Sequence, residues 1–489
     1  MKKMASSSGA VLLLFLLFLF FLLPPTALAL GNRNLEVTAR YLKGIVERSD
    51  YQSMLDWPIL ALAGLGEDVE PLINRREAQV RQGQLFDAVK NTDYQRTLVA
   101  VAAAGKDPRD FGQKNLVKDI KGSQLSSGKF ANTVDGRGET LVNAHIWGII
   151  SLYSAGETIP NREMALRWLE QQQNGDGGFS IDINVSISDV DMTGMALMAF
   201  AALGKDKQYP AVIKALDYLQ SQQALDGGFI GWGGSGSESI AQVIQGLMML
   251  GIDPTGPAWT KRGGNPVNAL ERYRLGDGSY SKEPGGKSDT MSTYQALIAL
   301  GDYYRGESIY RVLRRRNISF PDVSASHFAI GAIRDLAARG IMEGFPGGIF
   351  RPSDPVTRAQ FATLLVRVME KEHLVGPVTL RFGDLNREHW ANAYIRVAVD
   401  AGLIQGLGGE PPRFAPDATI SGSQAATLLV RALGKEQQAL QRGGDHWYTG
   451  YVSVAREQGI LYPYFGEELP VTRAQTAWSL QRYMQVAGK

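Results

Sequence analysis

Cysteine is absent from this chain of 489 residues, which excludes disulfides, a thiolate nucleophile and Cys-ligated zinc. The fold must rest on core packing, for which the length allows two or three domains. Charge of one sign is also lacking, since 51 Lys and Arg stand against 49 Asp and Glu. Nucleic-acid binding needs a basic patch that neutralises phosphate, and this balance supports none. There is one long hydrophobic run, Val11 to Leu23, preceded by Lys2 and Lys3 and followed by Pro24-Pro25 and Ala27-Leu28-Ala29. It reads as a signal peptide over 1–29 with an A-x-A cleavage site, so the protein is expected to be secreted. The run is too short to span a bilayer, and membrane contact is expected only in transit. Removing 1–29 takes two lysines and no acid, leaving the remainder formally neutral.

Repetition is what the sequence does have. Gly128-Lys129-Phe130, Asp176-Gly177-Gly178-Phe179, Asp226-Gly227-Gly228-Phe229 and Asp277-Gly278-Ser279-Tyr280 recur about fifty residues apart, the mark of an array of supersecondary units. A second phrase, an apolar run closed by glycine, ends at Gly66, Gly105, Gly156, Gly204, Gly251 and Gly301. Each interval has room for two helices of three to four turns. The run before each glycine is apolar on most faces, as in Met195 to Phe200, which is how a helix buried all round reads. The preceding helix, for example Ala165-Leu166 and Trp168-Leu169, is amphipathic. The expected fold over 30–315 is all-α, six helical hairpins in an α/α toroid. In the joint between helices, Gly supplies positive φ, Asp bonds its own backbone, and Phe drops into the gap between hairpins.

Gln124-x3-Gly128-x-Phe130, Gln173-x3-Gly177-x-Phe179 and Gln223-x3-Gly227-x-Phe229 resemble the repeat of the prenyltransferase and squalene-cyclase superfamily. The fourth copy departs, with Arg274 for Gln and Tyr280 for Phe. A scaffold repeat speaks to fold and hardly to chemistry. Zinc-dependent protein prenyltransferases and thioester domains of related fold need a cysteine that this chain lacks.

Residues 317–489 follow another grammar. Phe320-Pro321-Asp322, His327-Phe328, Gly340-Ile341, Phe350-x-Pro352 and Thr357-Arg358-Ala359-Gln360 make one round. Phe382-Gly383-Asp384, His389-Trp390, Gly402-Leu403, Phe414-x-Pro416 and Ser421-Gly422-Ser423-Gln424 make a second, and His446-Trp447, Gly459-Ile460 and Thr472-Arg473-Ala474-Gln475 a third. These rounds, over 317–375, 376–436 and 437–489, closely resemble S-layer homology (SLH) modules. The resemblance implies a three-lobed helical prism that binds pyruvylated secondary cell-wall polysaccharide, on the wall or S-layer of a Gram-positive-type bacterium.

Thr357, Ser421 and Thr472, each followed three residues on by Gln, are capping boxes, explained by helix starts alone. Arginine in a first turn opposes the helix dipole, so Arg358 and Arg473 call for another reason. Their planar forks suit the carboxylate of the pyruvate ketal. Gly422 keeps the cap and loses the fork, so that groove is expected to be weak or silent. Asp322, Asp384, Trp390 and Trp447 are further polysaccharide candidates, against a plain role as turn formers and module core. The recurring His327, His389 and His446 suggest scaffold.

In the toroid the candidates are Asp189, Asp191, Glu238 and Asp289, near inner-helix starts, with Trp232 in a glycine-rich stretch. Trp147 and Tyr280 are further aromatics for a pocket, and His145 is expected to be a satisfied core histidine. Asp189-x-Asp191 is similar to the D-x-D-D-T acid motif of hopene-type cyclases, but Met192 replaces its third Asp. Two function classes remain. One is a wall-anchored, non-catalytic protein whose toroid binds a ligand or partner. The other is an anchored enzyme, cyclase-like or carbohydrate-active, using Asp189/Asp191 or Glu238/Asp289. Neither a cofactor nor a metal is expected.

Overall fold

The computed structural model describes residues 25–231, 236–345, 348–376, 382–386 and 388–489, with side chains from Arg33 onward. Most of the expected signal peptide and Trp232 lie outside the described residues.

Up to Arg305, outer and inner helices alternate. The outer ones are α1 (Pro25–Val46), α3 (Glu70–Gln82), α5 (Leu116–Gly122), α7 (Arg162–Gln171), α9 (Pro210–Gln222) and α11 (Pro266–Glu271). The inner ones are α2 (Asp56–Gly64), α4 (Asn91–Ala104), α6 (Val142–Ser154), α8 (Val190–Ala202), α10 (Gly236–Met249) and α12 (Thr290–Arg305). Each inner helix packs on the next and α12 returns to α2, which closes a six-membered ring. At the tightest crossing, a Cβ on Gly194 would sit 2.9 Å from the Gln242 carbonyl and one on Gly246 2.7 Å from that of Gly194. Only glycine lets α8 and α10 approach so closely.

The joints work as the sequence suggests. Asp176, Asp226 and Asp277 accept from the backbone N–H two residues on, at 2.9, 2.9 and 3.0 Å. Phe130, Phe179, Phe229 and Tyr280 are buried, so Tyr280 belongs to the core rather than to a pocket. Their backbone N–H groups reach a side chain on the inner helix where one is suited: His145 Nδ1 for Phe130, Thr193 for Phe179 and Thr293 for Tyr280. His145 is the satisfied core histidine expected, since its Nε2 also meets the Ala165 carbonyl and burial pushes its pKa to about 3. Gln124, Gln173 and Gln223 each donate to the carbonyl of the joint glycine. The glycines Gly128, Gly177, Gly227 and Gly278 abut the next outer helix, and Gly278 closes onto Val37 of α1.

Five of the six closing glycines take left-handed φ, but Gly301 does not. There α12 runs on to Arg305, and Asp302 receives the Ile309 N–H of the next helix, α13 (Ile309–Asn317). This helix lies across the carboxyl ends of the inner ring. Arg311 donates to the Met249 carbonyl, Arg316 to Ala103 and Asn317 to Ser154, and Arg305 at the end of α12 donates to Gly64. Cations at these ends oppose the negative poles of the inner helices. Tyr310 enters the ring and meets Gln245, beside Trp147, whose ring lies tilted against that of Trp57 with centroids 4.8 Å apart. One end of the toroid is thereby stoppered, and the amino-terminal rim is the other.

The second array has its own apolar core. Its helices are α14 (Ile330–Ala338), α15 (Arg358–Val368), α16 (Asn392–Asp400), α17 (Gly422–Ala432), α18 (Glu436–Arg442), α19 (Thr449–Glu457) and α20 (Arg473–Val486). Three buried residues at its axis hydrogen-bond in a circle: Val356 N to Val471 O, Ile420 N to Val356 O, and Val471 N to Ile420 O. All three capping boxes form as expected.

Candidate functional site

The backbone circle fixes how the three lobes meet. The first two N–H groups of each capped helix donate into the next lobe: Arg358 and Ala359 to Ala418 and Pro416, Gly422 and Ser423 to Leu469 and Glu467, Arg473 and Ala474 to Asp354 and Pro352. Donors that a helix start leaves orphaned thus become the joints of the prism. Sequence reasoning found the caps and missed this, because the acceptors are main-chain carbonyls in another lobe.

Two of the three joints carry arginine. Arg358, 8% exposed, donates from Nε to the Phe414 carbonyl at 2.9 Å, with its guanidinium 5.1 Å from that ring's centre. Arg473 donates from Nε to the Phe350 carbonyl and from Nη2 to that of Glu343, both at 2.8 Å, and lies over Phe345 and Phe350. Burial lowers its pKa to about 10, so it stays cationic at neutral pH. The third joint has no room for arginine, because a Cβ on Gly422 would sit 2.1 Å from the Gly466 carbonyl.

Asp322 and Asp384 lie beside these arginines with both oxygens engaged. Asp322 accepts from Phe350 N at 2.8 Å and Arg351 N at 2.6 Å; Asp384 accepts from Phe414 N and Ala415 N, both at 2.8 Å. Burial alone would raise these carboxyls, but the paired N–H donors outweigh it and hold them below the ordinary range. Each clamps a non-glycine residue in left-handed conformation, Arg351 at φ 57° and Ala415 at φ 56°. Trp390 and Trp447 are 58% and 64% exposed, so they are surface aromatics and not module core. His327 and His389 accept through Nδ1 from the N–H two residues on, a scaffold role.

On the toroid's open rim the acidic candidates fall on three consecutive inner helices. Asp189 caps α8, accepting from Asp191 N and Met192 N, and Asp289 caps α12, accepting from Ser292 N. Glu238, in the first turn of α10, accepts from Ser292 Oγ at 3.0 Å. It therefore meets the helix that Asp289 caps, and the two are neighbours rather than a pair facing across a cleft. Asp191 differs from the others. Burial pushes its carboxyl up to about 6, against the pull of the Ser239 hydroxyl and with the help of the charges on Asp189 and Glu238. It lines a cleft of about 220 Å³ with Asp189, Ile181, Val185, Ile187, Met192 and Met195. Met192, where the acid motif wants a third carboxylate, is part of that apolar wall. Among the described residues no cluster suited to hold a metal ion is found.

The comparisons agree with this division. The S-layer homology domain family matches residues 319–362 and 381–426, and the prenyltransferase alpha-alpha toroid domain family matches 96–244 and 136–301. The cellulosome-anchoring protein of Acetivibrio thermocellus is 32% identical over 123 residues, 24% of this chain and 27% of that protein. S-layer protein EA1 of Bacillus anthracis is 29% identical over 173 residues, 32% of this chain and 19% of that protein. The chain thus spans about a quarter or less of the length of these curated relatives. Among solved structures, the apo type II terpene cyclase MstE from Scytonema superposes with a TM-score of 0.44 at 10% identity, covering 57% of this chain and 99% of that one.

Proposed function

We infer, for a chain that carries a prenyltransferase α/α-toroid domain and S-layer homology domains, that this is a surface protein held non-covalently on the cell wall. The three-lobed prism binds secondary cell-wall polysaccharide bearing pyruvate ketals, in a Gram-positive-type envelope. The toroid is the displayed body, non-catalytic, with a ligand site at its open rim.

Arg473 supports the anchoring reading best. Its guanidinium is held 4.7 and 4.6 Å from the centres of the Phe345 and Phe350 rings by two backbone carbonyls, and among the described residues nothing accepts from its Nη1. A rigid cation with a free donor edge suits a carboxylate on a sugar. Arg358 is more buried and contributes less, and the Gly422 joint is silent. Purified Arg473→Lys protein keeps the charge and loses the fork, and it should fall off isolated walls while its circular dichroism shows the prism still folded. Retention equal to the parent's would contradict the reading.

The enzyme alternative has one observation in its favour, the raised Asp191 carboxyl in an apolar cleft. Asp189 and Asp289 are engaged as helix caps, so a general acid here would lack the partner that the D-x-D and Glu238/Asp289 pairings supply.

A further inference from the structure

The loop that leads into α8 leaves three isoleucines in solvent: Ile181, Ile183 and Ile187 are 45%, 46% and 60% exposed. Single exposed apolar residues are ordinary, but a contiguous group marks a surface made to be covered. Two of the three form the wall of the 220 Å³ cleft, together with Val185, Met192 and Met195. An engineered cavity of ~150 Å³ accepts benzene, so this cleft has space for a single ring or a short aliphatic chain.

The polar end of the cleft narrows the ligand class. Asp189 is occupied as the cap of α8, which leaves the carboxyl of Asp191 as the group that meets a ligand. Its Oδ1 is buried without a hydrogen-bond donor among the described residues, and the Ser239 hydroxyl is the one side-chain donor that draws on the carboxyl. Among the described residues, none that lines the cleft is cationic. Above about pH 6 the carboxyl is ionised among apolar side chains, with two further acids close by. Covering it with a neutral apolar molecule would strip its water and return nothing, and an anion would add like charge. A molecule with an apolar tail and a cationic head satisfies both ends.

We propose that this cleft binds an aliphatic primary ammonium ion, its head against Asp191 and its tail against Ile181, Val185, Ile187, Met192 and Met195. The proposal rests on reading the toroid as a ligand-binding body and is independent of wall anchoring.

Calorimetric titration of the purified protein with n-octylamine, n-octanol and octanoate tests it. Octylammonium should bind at least about tenfold tighter than octanol, the difference that one charge-assisted hydrogen bond makes, and octanoate should not bind. Lowering the pH from 7 to 5 should weaken the amine about tenfold and leave the alcohol unchanged, because Asp191 takes up a proton in that interval. Asp191→Asn should bring the amine down to the level of the alcohol. Ile187→Lys, at a position 60% exposed, should abolish amine binding with the melting temperature unchanged. Octanol binding as tightly as octylamine, an Asp191→Asn protein that keeps the amine preference, or no binding of the amine would each overturn the proposal. Retention on isolated walls should be unaffected in both variants, so loss of the ligand reading and loss of the anchoring reading are told apart.

Discussion

The molecule contains two rings built by repetition, and they are closed in different ways. The toroid closes through side chains and glycines: Gln at the end of an outer helix, Asp in the turn, Phe in the gap, and a last joint where Gly278 meets α1 and Thr38 donates to its carbonyl. The prism closes through main chain, by the circle of Val356, Ile420 and Val471 and by helix-start amides donated to the next lobe. A ring closed by side chains writes its joints into the sequence. A ring closed by main chain needs no shared side-chain motif at its joints, and there arginine occurs twice and glycine, pressed against the Gly466 carbonyl, once.

The comparison breaks most visibly at the glycines. Gly177→Ala places a Cβ 2.4 Å from the Lys214 carbonyl at φ 91°, and should destabilise the toroid by about 3 kcal/mol, read from its thermal midpoint. Gly422→Arg should act in the same way on the prism: instead of restoring a third groove, it should lower the prism's melting temperature without improving wall binding, because Gly466 occupies the space.

A departure from the repeat inside the toroid gives a smaller effect with a pH signature. Lys129 stands where two other joints have glycine and the fourth has Ser279, and it is buried, with its ammonium on the carbonyl of Phe130 and on Asn132 Oδ1. Burial lowers its pKa to about 8. Below that value both folded and unfolded chains hold the proton, whereas between about pH 8 and 10 only the unfolded chain does. Stability should therefore rise with pH in this window, on the order of 2 to 3 kcal/mol, and the rise should vanish in Lys129→Met when both are unfolded in urea.

The contact between the rings should yield least. Arg162 of α7 pairs with Glu343, and Tyr153 donates to the Ala338 carbonyl at 2.7 Å. Since the ion pair is partly exposed, Arg162→Ala should cost about 0.5 kcal/mol by calorimetry.

The architecture was legible because its cause is periodic: buried helices, joint glycines and capping boxes all recur at fixed spacing. Site assignments were legible only in part. Asp189 and Asp289 look identical to Asp191 in sequence, and only the structure separates two caps from a carboxyl buried in an apolar cleft. Arg358 and Arg473 stood out as electrostatic anomalies, yet their partners are carbonyls some 56 and 123 residues away, which no local pattern encodes. Asp322 and Asp384 have the sequence marks of turn formers or sugar ligands, and in the structure they clamp left-handed residues across a lobe. The runs that end at Gly301 and Gly251 look alike, but the former continues because α13 hangs from Asp302.

The central claim is that the prism holds the protein to a carboxylate-bearing wall polymer. Its most direct test is to measure retention of the purified protein on isolated walls before and after mild acid removal of pyruvate ketals. The account predicts retention on native walls and release from the treated ones. Equal retention on both would contradict it.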